Sequence, residues 1–140
     1  MSNEQILLPM LGMMVLTAVV WFFLYARRIP AMRRAGKPTQ AYTTPDKGAA
    51  FLPEEVSYPA NNLRNLFELP VLFYALCLYL YVTASAGSAD VIAAWLFLVF
   101  RIVHSAIHCT VNIVILRFAA YSAAALALWF MLGRAVWGAL

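Results

Sequence analysis

From Ile6 to Tyr25 the chain runs without a single charge, and a helix needs about 20 predominantly apolar residues to cross the ~30 Å hydrocarbon core of a bilayer. The stretch is too long for the h-region of a signal peptide. Only Glu4 precedes it where a leader would carry cations, so it reads as a retained transmembrane helix. The rest of the chain obeys the same constraint. Hydrophobic residues make up 64% and charged residues 11%, with a mean hydropathy of +0.78, whereas soluble domains are about 25% charged. A water-soluble globule and a disordered chain are both excluded. In 140 residues four crossings would use about 80, which fits a small polytopic membrane protein. Its two cysteines, Cys77 and Cys109, lie inside apolar segments and are not expected to form a bridge.

The pattern predicts an all-α membrane protein, a single domain over 1–140 of four transmembrane helices in a left-handed bundle. The helices are expected at about 6–25, 61–84, 91–110 and 114–132. Between the first two, residues 26–60 carry Arg27, Arg28, Arg33, Arg34, Lys37 and Lys47 with Pro30, Pro38, Pro45, Pro53 and Pro59; this reads as a polar loop without long helices. The connections at Ser85–Asp90 and around Asn112 are short enough for tight helical hairpins.

Cations fix the expected orientation, because short loops rich in Lys and Arg stay cytoplasmic. Six of the ten Lys and Arg residues lie in the first loop, while the second connection has none and carries Asp90. The first loop and the turn near Asn112 are therefore expected on the cytoplasmic side, with both termini on the other. The net charge of +4 is then a topology signal and a juxtamembrane contact to anionic lipid, not a nucleic-acid surface. Short loops without an evident retention signal point to a bacterial inner membrane.

The informative residues are those that hydrocarbon should reject, since a charge at mid-bilayer costs a few kcal/mol even on the gentlest scale. In the third segment Arg101, His104, Ser105, His108 and Asn112 recur at helical spacing and form one stripe. Asn61, Arg64, Asn65 and Glu68 repeat the arrangement on the second helix, and Arg117 and Tyr121 lie one turn apart on the fourth. If helices two and three turn near residue 87, equal rise sets Glu68 against His104 to His108 and Arg64 against His108 to Thr110. Folding the next hairpin near residue 112 brings Arg117 level with His108 and Tyr121 level with His104. The polar groups would share one depth in the cytoplasmic half, as in a pocket built from facing helices of a bundle.

Several chemistries compete for this pocket. Arg64, Arg101 and Arg117 outnumber Glu68, with Arg27 and Arg28 close by, so a small anionic ligand suits it; a ligand with two carboxylates and one amine fits the inventory. In the bland alternative Glu68 merely neutralises Arg64 or Arg101, and His104 is a satisfied interior histidine. A metal at His104 and His108 lacks further ligands, and no HExxH is present. Hydrolysis by Ser105 is disfavoured because His104 adjoins it in sequence. Proton transport would need a continuous wet path, which the apolar outer halves of helices two and four do not supply.

The run from Arg101 through His104 and His108, followed by Arg117 and Tyr121, together with Arg64-Asn65-Leu66-Phe67-Glu68, resembles the MAPEG family, the membrane-associated proteins in eicosanoid and glutathione metabolism. The resemblance covers most of the chain. It implies a homotrimer of four-helix subunits, with glutathione bound between adjacent subunits near the cytoplasmic side. By motif position Arg64, Asn65 and Glu68 would hold the polar groups of glutathione. His104, His108 and Tyr121 would contact it, Arg28 or Arg27 would add a clamp, and Arg117 would stabilise the thiolate. Arg101 is read as a structural polar residue. The chain departs from eicosanoid-metabolising members at Asn61, where an arginine is common, at His108, where tyrosine is frequent, and in a shorter spacing from Glu68 to Pro70.

Two functions of different class follow. The first is a membrane glutathione transferase or peroxidase-like detoxification enzyme, using glutathione as co-substrate against a lipophilic electrophile. The second is a non-catalytic integral membrane protein that binds a lipid or anionic ligand or scaffolds a membrane complex.

Overall fold

The computed structural model describes residues 3–140. A 3-10 turn, Asn3–Ile6, leads into α1, Leu7–Ala35. The first helix thus continues ten residues past the end expected at Tyr25, and the polar loop expected from residue 26 begins at Gly36. Pro30 removes one amide donor but sits where water can satisfy the carbonyl it frees. Alanine, arginine and methionine around it are strong helix formers, and Arg33 and Arg34 occupy the last turn, where cations complement the helix dipole. Gly36 stops the helix in the left-handed region at φ 62, its N–H donating to the Arg33 carbonyl.

The loop is not without structure. It holds a 3-10 turn at Thr39–Tyr42, the short helix α2 at Pro45–Ala49, and another 3-10 turn at Glu54–Val56. Thr44 caps α2 by accepting from the Lys47 N–H at 3.4 Å.

The second span, expected as one helix over 61–84, is two: α3, Tyr58–Asn65, and α4, Leu69–Val82. Pro70 is the reason. It has no N–H to give the Leu66 carbonyl, and its ring would collide with that group in a continuous helix. The chain instead closes 3-10 bonds from Phe67 to Arg64 and from Glu68 to Asn65, leaving Glu68 outside helical geometry at φ −97, ψ −107.

Ala84 at φ 53 turns the chain into α5, Ser88–Cys109, and Asn112 at φ 49 turns it into α6, Val114–Ala139. The last helix outruns its expected end at residue 132 and so contains Arg134. All four spans are long and apolar enough to cross a membrane, and the protein is an all-α membrane protein.

Packing centres on α5. Phe73 of α4 stacks on Phe97 at 4.3 Å between ring centroids. Met13, Cys77, Ala94, Ala124, Leu128 and Met131 fill the core around this pair. Gly12 lets α1 approach α5 closely, since a Cβ there would lie 2.5 Å from a Leu98 methyl. Leu8, Val15, Val19 and Phe22 of α1 and Phe118, Leu126 and Trp137 of α6 face outward, the surface expected of helices solvated by lipid. Cys77 and Cys109 are free and buried.

Candidate functional site

On α5 four of the five residues read from spacing form the stripe: Arg101, His104, Ser105 and His108 are all buried, whereas Ile102 and Val103 between them are exposed; Asn112 is not part of it, because the helix ends at Cys109 and Asn112 sits in the turn at φ 49. Arg101 has no exposed surface, and burying a guanidinium demands compensation. Its Nη2 donates to Asn65 Oδ1 at 2.7 Å and to the Asn65 carbonyl at 3.2 Å. Asn65 Nδ2 in turn donates to Glu68 Oε2 at 2.8 Å. Glu68 therefore forms an ion pair with neither Arg64 nor Arg101; an amide stands between it and the buried charge. The Arg101 guanidinium also lies over the Tyr121 ring, 5.8 Å from its centroid.

His104 is held from the opposite side. Its Nδ1 lies 3.0 Å from the Arg117 carbonyl, and because a carbonyl only accepts, Nδ1 is the donor. In the neutral ring Nε2 is then an acceptor. His104 meets His108 edge to face at 5.4 Å and Tyr121 at 5.9 Å between centroids. Arg117 is half-buried and directs Nη1 to Asn112 Oδ1, which leaves four of its five N–H groups for other partners. Among the described residues, four buried nitrogens on this stripe have no hydrogen-bond partner: Nε and Nη1 of Arg101, Nε2 of His104 and Nδ1 of His108. Buried polar atoms are ordinarily satisfied.

Hairpin depth is close to expectation, displaced by about one turn. With α4 ending at Val82 and α5 starting at Ser88, the chain reverses about Ser85, not residue 87. Equal rise then sets Asn65 against Ser105, and the long Arg101 side chain spans the remaining turn. Tyr121 reaches His104 as the fold-back predicted.

The stripe expected on the second helix divides. Asn65 faces α5, but Asn61 and Arg64 are exposed and, with Arg28, line a separate cavity of about 230 Å³ beneath the loop, where Asp46 and Ser57 also lie. Gly48 of α2 packs on this arginine, a Cβ there falling 3.5 Å from Arg28 Nη2. The cavity is not lined by Arg101, His104, His108 or Arg117. Sequence reading overlooked Asn62, which is fully buried, donates to Cys109 Sγ at 3.4 Å and accepts from Ser105 Oγ at 3.4 Å. The signal was its i,i+3 spacing to Asn65, which puts both on one face. It also overlooked the ion pair between Asp90 and Arg134, 2.9 Å, at the bundle end away from the loop.

The chain matches the model of the MAPEG family over residues 6–137. It belongs to the MAPEG family. The match runs from the start of α1 almost to the end of α6, so it takes in every residue of the α5 stripe and both halves of the broken second span. MAPEG proteins, as a family, are integral membrane proteins associated with glutathione and eicosanoid metabolism. No curated protein and no solved structure matches it.

Proposed function

We propose that this MAPEG protein is a membrane glutathione transferase or peroxidase-like enzyme that turns the glutathione thiolate on lipophilic electrophiles. The observation that carries the reading is the pair of buried ring nitrogens without a partner among the described residues, Nε2 of His104 and Nδ1 of His108, level with the Arg117 backbone and the Tyr121 ring. A peptide with two carboxylates, amide groups and a thiol supplies the acceptors and donors this pair lacks.

In this reading Glu68, exposed at the helix break and aligned by Asn65, receives the ammonium group. Arg28 and Arg64, on their shared cavity, take carboxylate. His104, His108 and Tyr121 line the middle of the peptide, with His104 Nε2 open to an N–H or S–H donor. Arg101 is structural, holding Asn65. Arg117 stabilises the sulfur: a thiol near pKa 8.5 is only a few per cent thiolate at neutral pH, and an adjacent guanidinium favours the ionised form. The sulfur then bonds to the electrophilic atom of a substrate that arrives from the bilayer, and the bonding pair leaves either with a displaced group or onto the far end of an activated double bond, which takes a proton from water.

The Arg28 cavity and the α5 stripe are separate within one chain, which supports a homotrimer in which an adjacent subunit completes the site. The cation-rich loop supports a cytoplasmic position for it, with both termini on the opposite side of a bacterial inner membrane.

Ultraviolet difference absorption in the thiolate band tests the proposal. Adding glutathione to the purified protein is expected to produce the band, and Arg117→Ala is expected to abolish it while glutathione still binds. No band at saturating glutathione in the unsubstituted protein would overturn the enzymatic reading and favour a non-catalytic protein that binds a lipid or other anion.

A further inference from the structure

The end of α1 carries a second polar concavity, which holds Arg27, the alternative to Arg28 as a clamp, and no other residue of the proposed glutathione site. By its rise of 1.5 Å per residue, Leu7 to Tyr25 covers about 28 Å, close to the ~30 Å of hydrocarbon. Trp21, Phe22 and Tyr25 are exposed, and Trp21 meets both other rings edge-on, as in the aromatic belt at a membrane surface. One step beyond them is Arg27. Arg34 follows two turns later, about 10 Å along the axis. Arg27 therefore stands at the depth of lipid phosphates, with Arg34 above the ~5–7 Å headgroup layer and its side chain directed back toward the membrane, as helix side chains tilt toward the N-terminus.

Arg27 and Arg34 line one cavity of about 740 Å³, with Phe51, Pro53 and Glu55 across from them. Ala26, Pro30, Ala31 and Ala35 form its floor, and their small side chains keep the space between the two guanidiniums open. Neither arginine pairs with a carboxylate among the described residues. Arg27 lies over the Phe23 ring at 5.5 Å, and Lys37 lies over Phe51 at 5.3 Å, adding a third cation beside the wall. Glu55 is the one acidic side chain in the lining. Arg28 and Arg64 belong to the other cavity, which shares only Val56 with this one.

We infer that this concavity is a binding site for the phosphate headgroup of an anionic phospholipid, held between Arg27 and Arg34 where α1 leaves the hydrocarbon. Phosphate chemistry follows from the two guanidinium forks. A lipid, not a dissolved phosphate, follows from the depth and from the apolar helix directly below, along which acyl chains can lie. A choline headgroup would bring its own cation against both arginines, so zwitterionic lipid is disfavoured.

Native mass spectrometry of the full chain in detergent tests this by titrating phosphatidylglycerol and phosphatidylcholine of identical acyl chains. Phosphatidylglycerol is expected to be retained more tightly. Arg27→Gln and Arg34→Gln should each weaken its retention about fivefold, and the pair about thirtyfold, from the worth of one cation at an anionic surface. Glu55→Gln should strengthen it. Arg33→Gln is the control, because Arg33 is exposed and removes the same charge from outside the cavity; retention should stay within about twofold of the parent. An Arg33→Gln loss equal to that of Arg27→Gln would reduce the effect to diffuse charge and overturn the site. Displacement of the lipid by millimolar inorganic phosphate would assign the cavity to soluble anions and overturn its lipid identity. Thiolate formation is a separate readout, so this inference and the proposed activity fail independently.

Discussion

Replacing Asn65 with alanine tests how the buried charge at the centre of the bundle is held. Asn65 Oδ1 accepts from Arg101 Nη2 at 2.7 Å, and Arg101 has no exposed surface through which water could replace that bond. A hydrogen bond to a charged group contributes about 1.5–3 kcal/mol. The Asn65 carbonyl at 3.2 Å remains in the variant, so Asn65→Ala is expected to cost about 2 kcal/mol. Arg101→Met removes the charge and most of its desolvation penalty while keeping volume, and such replacements are often neutral. In the Arg101→Met background, Asn65→Ala should therefore cost almost nothing, giving a coupling energy of about 2 kcal/mol. The two free cysteines make the assay direct: both are buried, so a fluorogenic thiol reagent reports unfolding along a denaturing-detergent titration. Additive costs, or an Asn65→Ala cost below about 0.5 kcal/mol, the range of ordinary surface changes, would refute the claim that Asn65 anchors Arg101.

Gly12→Ala places a Cβ 2.5 Å from Leu98 Cδ2 and is expected to destabilise the bundle by about 1–3 kcal/mol; adding Leu98→Ala should recover part of the loss in the same thiol assay, and no recovery would place the strain elsewhere. At the other end of the bundle, Asp90 is buried and accepts both from Arg134 and from the Gly87 N–H at 2.9 Å. Asp90→Ala should therefore destabilise more than Arg134→Gln, which leaves the Gly87 bond intact; the reverse order in the unfolding titration would show that the ion pair, and not the helix start, is what Asp90 supports.

Some features were legible because they depend on local physics. The α5 stripe follows from helical spacing and from the cost of exposing Arg101, His104 and His108 to hydrocarbon, and all three are buried. The hairpins at Ala84 and Asn112 follow from segments too short for anything else. Reading α1 only to Tyr25 mistook the end of the hydrophobic run for the end of the helix, although a helix needs no lipid beyond the membrane surface. Reading 61–84 as one helix gave hydropathy more weight than Pro70. The hydrophobic pattern does not register a missing amide hydrogen.

Sequence by itself determined that this chain spans a membrane four times as an all-α protein, and which face of α5 turns inward, because a bilayer allows few alternatives for uncharged stretches of that length and penalises every misplaced charge. Tertiary structure alone decided the partners: that Asn65 and not Glu68 takes the Arg101 charge, that Arg28 and Arg64 share a cavity apart from His104, that Asn62 is buried against Cys109, and that Arg134 meets Asp90. Each of these depends on where a helix breaks or ends, and a shift of one turn, about 5.4 Å, is enough to exchange one hydrogen-bond partner for another.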